Sequence, residues 1–370
     1  MLDFTSALYL GLRHATTSLC PWDELSLGKP MVLDEPPSSE VVAAGLAQLQ
    51  GCEAATMLPS TLHLFWDMFG MPGTGRIAIL LDAGTYPIAR WGVERAAARG
   101  IPVERFAHHD VEALARRARH WMRAGRRPVI VADGFCPSCG KVAPVAAYAD
   151  IARACGGQLV LDDTQALGVL GANPDARNML GCGGGGSLCW HGVHGPHIVV
   201  GASLAKAFGA PVAVLAGSVE SVDWFRRCSE TRIHCSPPSV AVLRAASRAL
   251  AINREQGDAI RRRLVALVMR LRDCFARVGL MATGAMPFPV QSFMATRGSN
   301  VDELYDGLLA RGVRMLLTKV CRSQQLRLSA IVTAAHSEAD IDLAARAAAQ
   351  LDHAGHSLSG LCGEATWIRR

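Results

Sequence analysis

The sequence predicts an α/β fold, with a mostly parallel central sheet covered by helices on both faces and a smaller α+β domain after it. Three observations predict this. Short, continuous apolar runs recur along the first two-thirds of the chain, helical patterns separate them, and one long helical stretch ends the alternation. Continuously apolar strands suit a sheet buried on both sides, and intervening helices supply the crossovers that parallel strands need. With 370 residues and 50% hydrophobic composition, the chain can bury a sizeable core.

The elements read as follows. Residues 1–39, interrupted by Pro21, Pro30, Pro36 and Pro37, form an irregular N-terminal arm. Ser38-Ser39-Glu40 starts a helix whose apolar spacing (Val41, Val42, Leu46, Leu49) is amphipathic, and Gly51 stops it. A strand over 53–58 closes at Pro59-Ser60-Thr61, and a helix follows to about Phe69. Strands at 77–81, 103–106, 129–132 and 158–161 then alternate with helices at 88–99, 111–124 and 145–155. Strands at 197–201 and 212–216 complete the sheet of a domain over residues 40–250. Residues 239–277 form one long helix into a second domain, 251–370. That domain has strands at 291–295, 313–317 and 326–331, helices at 301–311 and 338–351, and a tail from Asp352. The glycines from Gly181 to Gly186 match neither a P-loop nor a dinucleotide fingerprint, so they read as a mobile connector.

Composition narrows the partners. The net charge of +6 lies largely in helical arginines, which read as solvated faces, and no nucleic-acid-binding signature accompanies them. No apolar run is long enough to span a bilayer. Twelve cysteines are scattered and no secretory signal opens the chain, so a cytoplasmic protein with thiols is expected. Cys136 and Cys139 have CxxC spacing but no second pair at finger distance, so no metal site is expected.

Two segments carry the chemistry. Lys206, in Ser203-Leu204-Ala205-Lys206-Ala207-Phe208-Gly209, sits in a tight turn between two apolar strands. Burial lowers a lysine pKa, and a neutral amine can form a Schiff base with an aldehyde. A turn lysine with its stem on the sheet is the plain alternative. Asp162 and Asp163 follow the strand at 158–161 directly. A carboxylate at the carboxyl end of a buried strand needs a positive partner, and ligands of such sheets bind at that end.

Residues 158–171, QLVLDDTQALGVLG, resemble the D-(D/E)-A-H-(S/A)-x-G-x-x-G segment of the α-oxoamine synthases, and SLAKAFG at 203–209 is similar to their (T/S)-x-(G/S)-K-x-x-G motif. Residues 106–114 resemble the family's F-x-H-N-D-x-x-x-L, and residues 328–341 its C-terminal R-x-S-x-x-A-x-H-(T/S)-x-x-D-I. The resemblance covers about residues 40–350 and implies a fold-type I pyridoxal-phosphate (PLP)-dependent transferase. Lys206 would carry the cofactor and move the substrate α-proton, and Asp162 would pair with the pyridine nitrogen. Gln165 would lie near the ring 3-hydroxyl, and Tyr86 would stack on the ring. Ser60, Thr61 and Ser203 would hold the phosphate. His234 and Ser236 would reach the phosphate of a partner subunit, and Arg327 would hold the amino-acid carboxylate. The implied reaction is decarboxylative condensation of an amino acid with an acyl thioester, on CoA or a carrier, in a homodimer.

Three positions depart from the family pattern. Gln165 replaces its histidine, Pro137 falls near its serine, and Pro59-Ser60-Thr61 replaces its S-G-(Y/F). They keep open other PLP chemistry on an amino acid: transamination, β-elimination, retro-aldol cleavage or another C–C bond formation. A non-catalytic subunit on the same scaffold is the third reading.

Overall fold

The structure, a computed structural model, describes residues 1–71, 76–295, 300–319 and 325–354. Its main sheet has seven strands: β1 (Ala54–Leu58), β2 (Ile77–Asp82), β3 (Val103–Phe106), β4 (Arg127–Asp133), β5 (Gln158–Asp162), β6 (Ile198–Ser203) and β7 (Ala213–Gly217). They lie in the order β1-β7-β6-β5-β4-β2-β3, and β7 runs antiparallel to both neighbours while the other pairs are parallel. The apolar runs are continuous because both faces are covered. Leu80, Ile130, Leu159, Leu161 and Val200 are buried under one helical layer, and Ile79, Val129, Val131, Val160 and Val199 under the other. The parallel strands β2, β4, β5 and β6 end on one rim, where Asp82, Asp133, Asp162 and Ser203 stand.

The 38-residue helix Val240–Arg277 leads to a second, antiparallel sheet: β8 (Leu280–Ala282), β9 (Val290–Ala295), β10 (Leu316–Lys319) and β11 (Leu326–Ile331), in the order β8-β9-β11-β10. Helices Val301–Ala310 and Glu338–Ala354 accompany it. The end of the tail expected from Asp352 lies outside the described residues.

Two expectations change. The N-terminal arm is bound to the C-terminal unit. Leu2–Asp3 pairs in parallel with Val313–Arg314, the Ile331 N–H donates to the Phe4 carbonyl at 2.7 Å, and Phe4 stacks on His336. Phe4, Tyr9, Leu10 and Leu12 are buried, so apolar side chains outweigh the irregular backbone. The glycine run is likewise a fixed wall and not a mobile connector. Gly181, Gly183, Gly184 and Gly186 have positive φ, and a Cβ at Gly184 would fall 2.4 Å from the guanidinium of buried Arg261. Asp258 accepts the Gly183 N–H at 2.8 Å and Asn253 donates to its carbonyl at 2.9 Å. Here glycine is used for close approach rather than freedom.

Candidate active site

The slot lies on the strand rim. Asp162 ends β5 and is buried; its direct partner on β4 is Asp133. One Asp162 oxygen accepts the Thr164 N–H at 3.0 Å, and the Thr164 hydroxyl accepts the Ser203 N–H at 3.0 Å, tying the acid to the lysine turn. Burial raises the pKa of both acids, and the charge of Asp162 raises that of Asp133 further. Lys206 is half-buried above them. Burial lowers its pKa, and the fields of Asp162 and Asp133 oppose that shift. Among the described residues its Nζ makes no ion pair or hydrogen bond. The other lysines, Lys29, Lys141 and Lys319, are all exposed. That the chain has so few lysines is a signal the sequence carried and the motif reading did not use.

Tyr86 closes one side. It caps the helix Pro87–Ala98 with extended backbone, and its N–H donates to the Asp133 carboxylate at 3.1 Å. The residue is 53% exposed, and its ring centroid lies 5.8 Å from Lys206 Nζ. An exposed aromatic face anchored this way is available to a flat ligand. Gln165 is anchored from the N-terminal arm. Its Oε1 accepts a hydrogen bond from the buried Tyr9 hydroxyl, a partner in the arm that sequence reading missed.

The phosphate candidates divide. Ser60 caps the helix Thr61–Gly70, its Oγ accepting the His63 N–H at 3.5 Å and lying 2.8 Å from His63 Nδ1. Thr61 is the first residue of that helix, whose free N–H groups suit an anion. The Ser203 hydroxyl accepts the Ala205 N–H at 3.3 Å. Ser236 shares a groove with Pro59 and His63 of its own chain, whereas His234 is exposed at the end of the short helix Glu230–His234. Arg327 lies on β11 opposite Thr318, in the second sheet, and its buried Nε has no partner among the described residues. Among the described residues, no hydrogen bond or ion pair joins it to the Lys206 slot.

Residues 68–347 match the family model for aminotransferase class I and II. The chain belongs to the aminotransferase class I and II family, on its α-oxoamine synthase branch. It is 30% identical over 365 residues to the 8-amino-7-oxononanoate synthase of Acidithiobacillus ferrooxidans, covering 93% of this chain and 86% of that one. It is 31% identical to the same-named protein of Halorhodospira halophila, covering 84% and 74%. Among solved structures, a serine palmitoyltransferase from S. paucimobilis with PLP bound superposes with a TM-score of 0.81 at 15% identity, covering 95% and 87%. The 8-amino-7-oxononanoate synthase of Francisella tularensis gives 0.72 at 16%, covering 96% and 99%. At these identities the structural matches bear on fold.

Proposed function

We propose that this chain is a PLP-dependent α-oxoamine synthase, joining an amino acid to an acyl thioester with release of carbon dioxide and a thiol. The observation that carries the reading is the slot itself: a half-buried lysine, unpaired among the described residues, beside a buried carboxyl and an anchored aromatic face. These residues fit the cofactor. A lysine with lowered pKa suits its aldehyde, a strand-end carboxyl suits its ring nitrogen, and a serine-capped helix suits its phosphate.

When bound, pyridoxal phosphate supplies an electron sink for a carbanion at the amino-acid α-carbon. Lys206 Nζ would hold the cofactor and then carry the proton on and off that carbon. Asp162 would keep the ring nitrogen protonated, since an anionic carboxylate stabilises the positive charge there. Tyr86 would cover one ring face and keep water out. Gln165, held by Tyr9, would present its amide toward the 3-oxygen. Ser60, Thr61 and Ser203 would bind the phosphate, with Ser236 nearby and His234 placed to reach a second subunit. Arg327, whose Nε–H has no partner among the described residues, would take the substrate carboxylate as a fork.

The test mixes the purified chain and PLP with a panel of amino acids, with and without acyl-CoA. The expected result is amino-acid-dependent thiol release matched by carbon dioxide release. The glutamine at position 165 favours one second reading, in which the same slot runs transamination or elimination. Keto-acid formation without acyl-CoA would support that reading over condensation.

A further inference from the structure

We propose that His108, His109 and Cys139 form a binding site for one divalent transition-metal ion of the zinc class, distinct from the residues that would hold the cofactor. The three side chains come from two places on the same rim. His108 and His109 follow β3, and Cys139 sits in the turn of the hairpin formed by Phe135–Cys136 and Lys141–Val142. Their ligand atoms lie within 4.8 Å of one another. His108 Nε2 and Cys139 Sγ are 3.4 Å apart. Around tetrahedral zinc, with Zn–S roughly 2.3 Å and Zn–N roughly 2.0–2.1 Å, neighbouring sulfur and nitrogen ligands stand roughly 3.5 Å apart.

A supporting layer is already built. His108 Nδ1 lies 2.6 Å from an Asp82 oxygen, which leaves Nε2 turned toward Cys139. A carboxylate behind a ligating histidine fixes its tautomer and raises its basicity. Asp82 is buried and held in turn by the Gly84 N–H at 2.7 Å, the His109 N–H at 3.0 Å and the Tyr148 hydroxyl at 3.1 Å. Gly84 leaves room for the imidazole, because a Cβ there would fall 2.2 Å from Nδ1.

His109 adopts φ 59°, a left-handed conformation rare outside glycine, and this sets its ring 3.7 Å from that of His108. Lys141 opposes a cation from the hairpin, and the Asp82 carboxylate offsets it. Two nitrogens and one sulfur suit borderline-soft zinc and leave a fourth position open. Binding would release the Cys139 thiol proton to solvent and change no oxidation state. The sequence reading expected no metal because it looked for a second cysteine pair beside Cys136 and Cys139, whereas the other two ligands here are histidines that follow a different strand.

The full-length chain, treated with a chelator and dialysed, is titrated with Co2+ alone. The expected result is one ion per chain with a thiolate-to-cobalt charge-transfer band. Cys139→Ser should lose the band. His109→Asn, which tolerates positive φ, should weaken binding roughly 10-fold or more. Cys182→Ser, at an exposed cysteine elsewhere, should bind like the parent. Absence of saturable binding would overturn the site, as would a band that survives in folded Cys139→Ser or an affinity unchanged in His109→Asn.

Discussion

Asp133 and Asp162 are direct partners on the parallel strands β4 and β5, so two carboxyls share the floor of the slot beneath Lys206. Their inequality follows from their partners. Asp133 receives the Tyr86 N–H and positions a wall, whereas Asp162 is tied through Thr164 to the lysine turn. Asp162→Asn should therefore keep the fold and lower turnover by roughly 10²-fold or more, with Asp162→Glu retaining part of it. Steady-state kinetics on folded variants checks this. Equal activity in Asp162→Asn would remove the acid from the account.

Asp163 gives a pH prediction. Burial pushes its carboxyl up to about 6 from an ordinary 3.8, and it is 1% exposed. The folded chain thus keeps a proton that the unfolded chain releases. That stabilisation is complete below the unfolded value and is lost as pH rises through about 6, a change of about 3 kcal/mol. Asp163→Asn still accepts the Ser187 N–H and cannot ionise. Urea unfolding from about pH 4 to about pH 7 should show the parent losing about 2 kcal/mol relative to Asp163→Asn, the rest of the change lying below pH 4.

Arg261 is a buried cation that organises the glycine wall. It donates to the Gly168 carbonyl at 2.9 Å, to Asn253 at 2.7 Å and to Asp258 at 2.7 Å. Arg261→Ala should cost about 3 kcal/mol by leaving those acceptors unpaired. Thermal unfolding reads the loss directly. A variant as stable as the parent would contradict the role of the wall.

The Tyr9 hydroxyl is the partner of Gln165. Tyr9→Phe keeps the ring against Phe288 and frees the amide. The expected effect is about 1 kcal/mol, roughly fivefold, on cofactor affinity, with little change in unfolding temperature. Titration of the apo chain with PLP measures it.

The seven main strands were legible because burial on both faces writes a continuous apolar run into each. Lys206 and Asp162 stood out in the sequence as candidates because one lies in the turn after an apolar strand and the other at the end of one. Helix Val219–Cys228 was not read, since its surface is largely polar and charged. Asp133 stood in plain view, but its pairing with Asp162 is a register between strands separated by a helix, which local pattern does not encode. The Tyr9–Gln165 bond and the His108–Cys139 contact likewise join distant segments. The glycine wall was misread because close approach and looseness call for the same residue.

Covalent trapping tests the central claim most directly. The purified chain is incubated with PLP, reduced with borohydride and digested, and the modified peptide is found by mass. The account predicts one reduced cofactor per chain on the peptide carrying Lys206, and none in Lys206→Ala. An unmodified Lys206 peptide, or label spread over the exposed Lys29, Lys141 and Lys319, would contradict it.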